Sequence, residues 1–129
     1  MNKILVEVSV GELLDKISIL EIKKEKIKDS EKLKFINDEY EVLKIELEKN
    51  IKIDEKLAKF FTALKNVNSK LWIIEDDKRK CEKDSDFGEN FIRLSRDVHF
   101  LNDTRAKIKL DINNHTGSKI KEIKEYTSY

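Results

Sequence analysis

Hydrophobic residues recur every three or four positions along most of the chain, which is the spacing of an amphipathic helix. The second periodic run shows this most plainly, with apolar side chains at Leu33, Ile36, Tyr40, Leu43 and Leu47. Proline is absent and there are only three glycines, so little in the sequence interrupts long helices. The pattern predicts an all-α protein that forms an antiparallel helical bundle of two long helical hairpins.

The first hairpin is predicted from capping residues and periodicity together. Helix 1 should run from about Gly11 to Lys28, with Ser9 as its N-cap and Glu12 completing a capping box. Its apolar positions cover more than one stripe, which indicates a central helix that is buried on several sides. Helix 2 should begin near Asp29 or Ser30, and so short a junction allows only a tight reversal of the chain.

The second hairpin joins two longer helices. Helix 3 should begin near Asp54 and continue unbroken to about Lys83, which at about 1.5 Å per residue makes it roughly 45 Å long. Helix 4 should begin after Gly88 and end at Gly117, because glycine is common at such helix ends.

The two chain ends carry a different pattern. Ile4, Val6, Val8 and Val10 alternate with other residues, as in a short N-terminal strand. The tail, with Ile120, Ile123 and Tyr126, fits either a helical turn or a strand. The sequence therefore leaves open a two-stranded pairing of the termini.

Composition excludes several classes of protein. The 129 residues, 15.2 kDa in mass, suit one helical domain over residues 1–129. The 27 basic and 26 acidic residues are spread through both halves, whereas a nucleic-acid-binding protein concentrates positive charge. No apolar run is long enough to span a membrane, and the N-terminus lacks the features of a signal peptide. We therefore expect a cytoplasmic protein without nucleic-acid or membrane partners.

The most informative feature is a polar stripe along the predicted inner faces of helices 3 and 4. Asn68, Glu75 and Glu82 are seven residues apart and share one face of helix 3. Helix 4 carries a second polar stretch that consists of Asn102, Arg105 and Lys109. Antiparallel pairing about the turn at Gly88 should place Glu75 near Asn102.

Two explanations of this stripe remain open. Buried polar groups without partners cost a few kcal/mol each, so the side chains must find partners. Glu75 and Glu82 could form a structural ion-pair network with Arg79, Arg105 and Lys109. Alternatively, the same side chains could line a ligand site within the bundle.

Arginine placement favours the ligand site. The chain has only four arginines among its 27 basic residues, and all four lie between positions 79 and 105: Arg79, Arg93, Arg96 and Arg105. Arginine binds planar anions through two parallel hydrogen bonds, and phosphate and carboxylate are its usual targets. Arg79 and Arg105 are the stronger candidates because they lie on or beside the polar stripe.

The sequence does not identify a cofactor, and it contains no predicted protein-based metal centre. The consecutive acids Glu75, Asp76 and Asp77 could contribute one or two oxygen ligands, for which magnesium is the natural cation. The single cysteine, Cys81, excludes an internal disulfide and is expected to be a surface or half-buried thiol.

Four segments of the chain resemble those of an uncharacterised bacterial family known only as a domain of unknown function. They are GELLDKISILEIK at 11–23, NSKLWIIEDDKRKCE at 68–82, DFGENFIRLSRDV at 86–98 and NDTRAKIKLDIN at 102–113. The resemblance implies a shared pattern that comprises Glu12, Asp15, Lys16, Asn68, Trp72, Glu75, Asp76, Arg79, Phe87, Gly88, Arg96, Asn102, Asp103, Arg105 and Lys109. It implies no activity, since the family has none assigned.

The stripe and the resemblance together define a candidate site for a small anionic metabolite that carries phosphate or carboxylate. The candidate catalytic residues are Glu75, Asp76 and Asp103. The candidate ligand-binding residues are Asp15, Lys16, Asn68, Trp72, Arg79, Asn102, Arg105 and Lys109. Whether the protein is an enzyme stays open, and the alternative is a non-enzymatic interaction module that forms homo-oligomers through helix 2.

Overall fold

The computed structural model describes residues 3–129 and contains four helices. They are α1 (Val10–Lys26), α2 (Ser30–Asn50), α3 (Glu55–Lys83) and α4 (Glu89–Thr116). The helices form two antiparallel hairpins, α1 with α2 and α3 with α4, so the predicted all-α bundle is confirmed.

Side-chain caps fix where three of the helices begin. The Ser9 hydroxyl accepts a hydrogen bond from the Glu12 amide at 3.0 Å, and Asp54 accepts one from the Leu57 amide at 2.7 Å. Asp29 caps α2 in the same way. These bonds satisfy amide groups that have no partner inside the helix. The predicted boundaries therefore agree with the observed ones to within about two residues.

The helix α1 lies at the centre of the bundle, as its broad apolar surface predicts. It packs against all three other helices, and α3 and α4 pack closely against each other. The core that results is built from buried side chains of all four helices, namely Leu14, Ile17, Leu47, Leu57, Leu64 and Ile112.

The start of α1 approaches α4 very closely at Gly11. The Gly11 amide donates a 2.7 Å hydrogen bond to the side-chain oxygen of Asn113, which is buried. A Cβ atom at position 11 would lie only 2.7 Å from the carbonyl oxygen of Lys109. Glycine is therefore required for this contact, a role that the sequence pattern did not reveal.

The predicted N-terminal strand is wrong. Residues 3–9 belong to no helix or strand, and Ile4 and Val6 are largely exposed. The tail beyond Gly117 also forms neither a helical turn nor a strand. An alternating pattern alone does not make a strand, because a strand needs a neighbour to hydrogen-bond with. The start of α1 does meet the segment that follows α4, since the Val10 amide lies 3.3 Å from the Ser118 hydroxyl.

None of the helices described here is both long enough and apolar enough to cross a membrane.

Candidate functional site

An open cavity of about 410 Å³ lies where α1, α3 and α4 meet. Its walls combine apolar and charged side chains. They are Ile19 and Ile22 of α1, Asn68, Leu71, Trp72, Glu75, Asp76 and Arg79 of α3, and Arg105 of α4. Six of the predicted site residues therefore come together around one cavity. The two α1 residues in its wall, Ile19 and Ile22, were not among those predicted.

A buried hydrogen-bond network lies beneath this cavity, centred on Asp15. The Asp15 carboxylate accepts hydrogen bonds from Arg105 through Nε and Nη2, the first at 3.0 Å. It also accepts one from the Asn68 amide at 2.8 Å, and that amide donates a second bond to the Ser18 hydroxyl. The side chain of Asp15 is only 2% exposed, so these partners replace the water that the carboxylate loses.

The pairing with Asp15 determines the electrostatics of Arg105. Hydrogen bonding to Asp15 raises the pKa of Arg105 above its ordinary value, even though partial burial acts in the opposite direction. Arg105 is thus always charged, and Asp15 balances that charge. Its Nη1 group makes no hydrogen bond to Asp15, and Arg105 is one of the side chains that line the cavity.

Two charged groups on the α3 wall have no such partner. Glu75 and Arg79 are one helical turn apart and exposed, and within residues 3–129 neither makes an ion pair or a side-chain hydrogen bond. Asp76 differs from them because the Lys80 ammonium lies 3.3 Å from its carboxylate. The cavity therefore offers one cationic and one anionic group for interaction with a ligand.

A second ion cluster surrounds Lys109, outside the cavity lining. The Lys109 ammonium lies 2.7 Å from Glu12, 2.9 Å from Glu122 and 3.8 Å from Asp15, and its side chain is 8% exposed. Burial acts to lower the pKa of Lys109, but the hydrogen bonds to Glu12 and Glu122 outweigh it and the pKa is raised. The same contact with Lys109 lowers the pKa of Glu122.

These contacts correct the predicted ion-pair network. The sequence suggested that Glu75 and Glu82 would neutralise the cations of helix 4. In the structure that role belongs to Asp15 and Glu12 of α1 and to Glu122 of the tail. The reason is geometric, because α1 packs against the inner faces of α3 and α4 and brings its own carboxylates there.

Besides Lys109, three predicted site residues lie away from the cavity. Lys16 is exposed on α1, and Asp103 is exposed on α4, where it accepts a hydrogen bond from the Tyr129 hydroxyl. Asn102 lines a separate space of about 650 Å³ between α4 and the tail, together with His99. Glu75 lines the cavity between α1, α3 and α4, and it is Asn68 and Arg105 that meet at the level of Asp15.

The sequence reasoning missed four residues that shape these sites. Ser18 is fully buried and holds Asn68, while Ile19 and Ile22 form the α1 wall of the cavity. A usable signal existed for Ser18, which lies three residues after Asp15 on the same face of helix 1. No comparable signal existed for Glu122, because the path of the tail cannot be deduced from periodicity.

Two expectations about other reactive groups can be compared with the structure. Cys81 is buried, not a surface thiol, and the Asn90 amide lies 3.7 Å from its sulfur. Within the described residues 3–129, no three His, Cys, Asp or Glu side chains are arranged to hold a metal ion. The acids Glu75, Asp76 and Asp77 thus form no metal-binding cluster of that kind among themselves.

Residues 4–129 match the model of a family of unknown function, DUF6165, and the chain belongs to this family. The predicted membership of a domain-of-unknown-function family is thereby confirmed. No curated protein and no solved structure matches the chain. Any function must therefore be argued from the site itself.

Proposed function

We propose that this protein binds a small anionic metabolite in the cavity between α1, α3 and α4, with Arg79 as its anchoring residue. The observation that carries the proposal is the guanidinium of Arg79, which lines the cavity and has no carboxylate partner among residues 3–129. A planar guanidinium binds carboxylate or phosphate through two hydrogen bonds at once. Arg105 supplies a further donor through Nη1.

The apolar walls suit the remainder of such a ligand. Trp72, Leu71 and the two isoleucines of α1 surround the charged groups, and small-molecule sites commonly combine apolar walls with a few polar groups. The volume of about 410 Å³ falls within the range of roughly 300–1,000 Å³ that is usual for such sites. These features support binding of a molecule that is part apolar and part anionic.

Catalysis is a narrower proposal that depends on Glu75. A general base must come within hydrogen-bond distance of the proton that it removes, and Glu75 is the cavity carboxylate that no ion pair holds within residues 3–129. Asp76 is paired with Lys80, and Asp103 is remote from the cavity. In an enzymatic version of the proposal, Glu75 acts as the base and Arg79 holds the anion.

A thermal-shift screen tests the binding proposal. The purified protein is mixed with small carboxylates and phosphate monoesters, each with and without magnesium. A ligand at a hundred times its dissociation constant adds about 2.7 kcal/mol, which raises the melting temperature by several degrees. We expect a stabilising compound whose effect disappears in Arg79→Ala and persists in the matched control Arg96→Ala. A screen without a stabilising compound, or a shift that survives in Arg79→Ala, would overturn the proposal.

Self-association through α2 is the second candidate function. The predicted apolar stripe of helix 2 is used internally, because Tyr40 and Leu43 pack on the core. The outer face of α2, however, exposes Phe35 by 69%, Val42 by 56% and Ile45 by 59%. Apolar side chains grouped on one exposed surface often mark an interaction site.

The mass in solution tests this second candidate. Multi-angle light scattering of the wild type should give the mass of an oligomer, and Phe35→Glu should reduce it to that of the monomer. Lys34→Glu, a charge change beside Phe35, serves as the control and should leave the mass unchanged. A wild-type protein that is monomeric at high concentration excludes self-association through this face.

A further inference from the structure

The charges around the cavity are balanced in an unusual way. Four charged side chains line it, and two of them already have counter-ions: Arg105 pairs with Asp15, and Asp76 pairs with Lys80. The two that remain are Arg79 and Glu75. The cavity is therefore close to electrically neutral, with one positive and one negative group still unpaired.

Glu75 and Arg79 do not neutralise each other. Glutamate and arginine four residues apart on a helix commonly form an ion pair. Here no contact within 4 Å joins them, whereas Lys34 and Asp38, at the same spacing, lie 3.3 Å apart. Both Glu75 and Arg79 line the cavity beside Trp72. They are consequently available to interact with two opposite charges on one ligand.

This arrangement discriminates among anions. A phosphate dianion carries two negative charges, but the cavity offers it one unpaired cation, Arg79. Glu75 would also repel the dianion. A monocarboxylate would still face the repulsion of Glu75. A ligand that carries an ammonium group beside its carboxylate changes this repulsion into a second attraction.

We infer that the cavity binds a zwitterion with an apolar or aromatic body, in which a carboxylate pairs with Arg79 and an ammonium pairs with Glu75. A free hydrophobic amino acid is the simplest molecule of this class. Trp72, Ile19 and Ile22 surround its side chain. The inference rests on the proposed function, because it keeps a carboxylate on Arg79 in the same cavity; it adds an ammonium group, so that the whole ligand carries no net charge.

The single tryptophan of the chain provides a direct readout. Because Trp72 lines the cavity, a bound molecule should change its fluorescence. Three probes of similar size separate the charges: 3-phenylpropionate is an anion, phenylalanine is a zwitterion and phenethylamine is a cation. We expect phenylalanine to bind about tenfold more tightly than either of the others, which is the effect of one additional charge-assisted hydrogen bond.

Two variants assign the charges to residues. Glu75→Gln should abolish the advantage of phenylalanine over 3-phenylpropionate, while Arg79→Gln should weaken binding of both. Glu75 and Arg79 are exposed and make no ion pair or side-chain hydrogen bond within residues 3–129, so both variants should keep the wild-type helicity. Glu82→Gln is the matched control, because residue 82 lies seven positions after Glu75 on α3 and outside the cavity lining. It should bind the probes as the wild type does.

The possible results separate this inference from the proposed function. If 3-phenylpropionate binds as tightly as phenylalanine and needs Arg79, the proposed anion binding is supported and the inference of a zwitterionic ligand is wrong. If Glu75→Gln still binds phenylalanine more tightly than 3-phenylpropionate, the inference of a zwitterionic ligand is also wrong. If none of the probes changes the fluorescence of Trp72 and the thermal-shift screen is also flat, both proposals fail.

Discussion

A single buried carboxylate connects three helices of this protein. Asp15 of α1 accepts hydrogen bonds from Asn68 of α3 and from Arg105 of α4. Its side chain is 2% exposed and that of Arg105 is 28% exposed. Because water cannot replace a lost partner at this buried position, breaking the pair of Asp15 and Arg105 should cost more than breaking an ordinary surface ion pair.

We predict that Asp15→Asn destabilises the protein by about 3 kcal/mol, because it leaves the partly buried charge of Arg105 without a counter-ion. The free energy of unfolding in urea measures this loss. Asp111→Asn is the matched control: Asp111 pairs with Lys107, whose side chain is 76% exposed, and its loss should cost less than about 1 kcal/mol. Equal losses in the two variants would show that burial of Asp15 does not matter.

Gly11 provides a second residue-scale prediction. Gly11→Ala should destabilise the protein by about 1–3 kcal/mol, because the new methyl group would lie 2.7 Å from a backbone oxygen that cannot rotate away. Gly88→Ala is the comparison, since the nearest atom there is a side-chain oxygen of Asp86 at 3.4 Å. Urea unfolding of both variants provides the test, and a Gly11 variant as stable as the Gly88 variant would contradict the prediction.

The candidate site was only partly predictable at this scale. Asn68 and Arg105 could be identified because a polar residue on an apolar stripe is visible in the sequence. Their shared partner, Asp15, belongs to the pattern that the family resemblance implies, but periodicity did not identify it as the partner of Arg105. The partner of a buried cation depends on which helix packs against it, and periodicity within one helix contains no information about that packing.

At the scale of whole helices, the sequence predicted the helix boundaries well, because the residues that determine where a helix begins lie next to that boundary in the chain. Ser9, Asp29 and Asp54 each satisfy the first amides of their own helix, so the signal lies within four residues of the boundary. The N-terminal segment gave the opposite result. Its alternating pattern is equally clear, but a strand requires a distant partner, and no such partner reaches residues 3–9.

The cap of α3 should make stability depend on pH. The hydrogen bond from the Leu57 amide, assisted by His115, lowers the pKa of Asp54 below its ordinary value near 3.8. A carboxyl group whose pKa is lower in the folded than in the unfolded protein stabilises the folded state at any pH above its unfolded-state pKa. This stabilisation is lost as the pH falls through the pKa of the folded state. Protonated Asp54 no longer offers a charged acceptor to the helix.

We therefore predict that Asp54→Asn lowers the melting temperature at pH 7 and that the difference from the wild type shrinks below about pH 4. Asparagine can still cap the helix but has no charge to lose. Melting curves from pH 7 to pH 3 measure the difference. Asp38→Asn is the control, because the one ion pair of Asp38 within residues 3–129 is with the exposed Lys34. A difference for Asp54→Asn that stays constant over this range would show that the charge is unimportant.

At the scale of the whole molecule, the four helices are not equally supported. The helix α1 packs against the other three and contains seven buried residues. The helix α2 has two buried residues, Ile36 and Leu47, and α1 is the one helix whose backbone it approaches closely within residues 3–129. Leu47 packs into the shared core, but a helix with one close backbone neighbour can still separate while α1, α3 and α4 remain packed. The cavity should then remain intact, because no residue of α2 lines it.

We predict that α2 opens before the rest of the bundle, because its separation exposes less buried surface than global unfolding. Native-state hydrogen exchange measured by mass spectrometry should give a lower opening free energy for α2 than for α1 or α3. Two truncations of buried side chains make the test more specific. Each should lower the free energy of opening by about 2–5 kcal/mol in the part of the bundle that it disturbs. Ile36→Ala, in α2, should increase exchange in α2 alone, whereas Leu64→Ala, at 0% exposure in the core, should increase it in every helix. If Ile36→Ala accelerates exchange equally in all four helices, the bundle unfolds as one cooperative unit, and α2 has no independent opening.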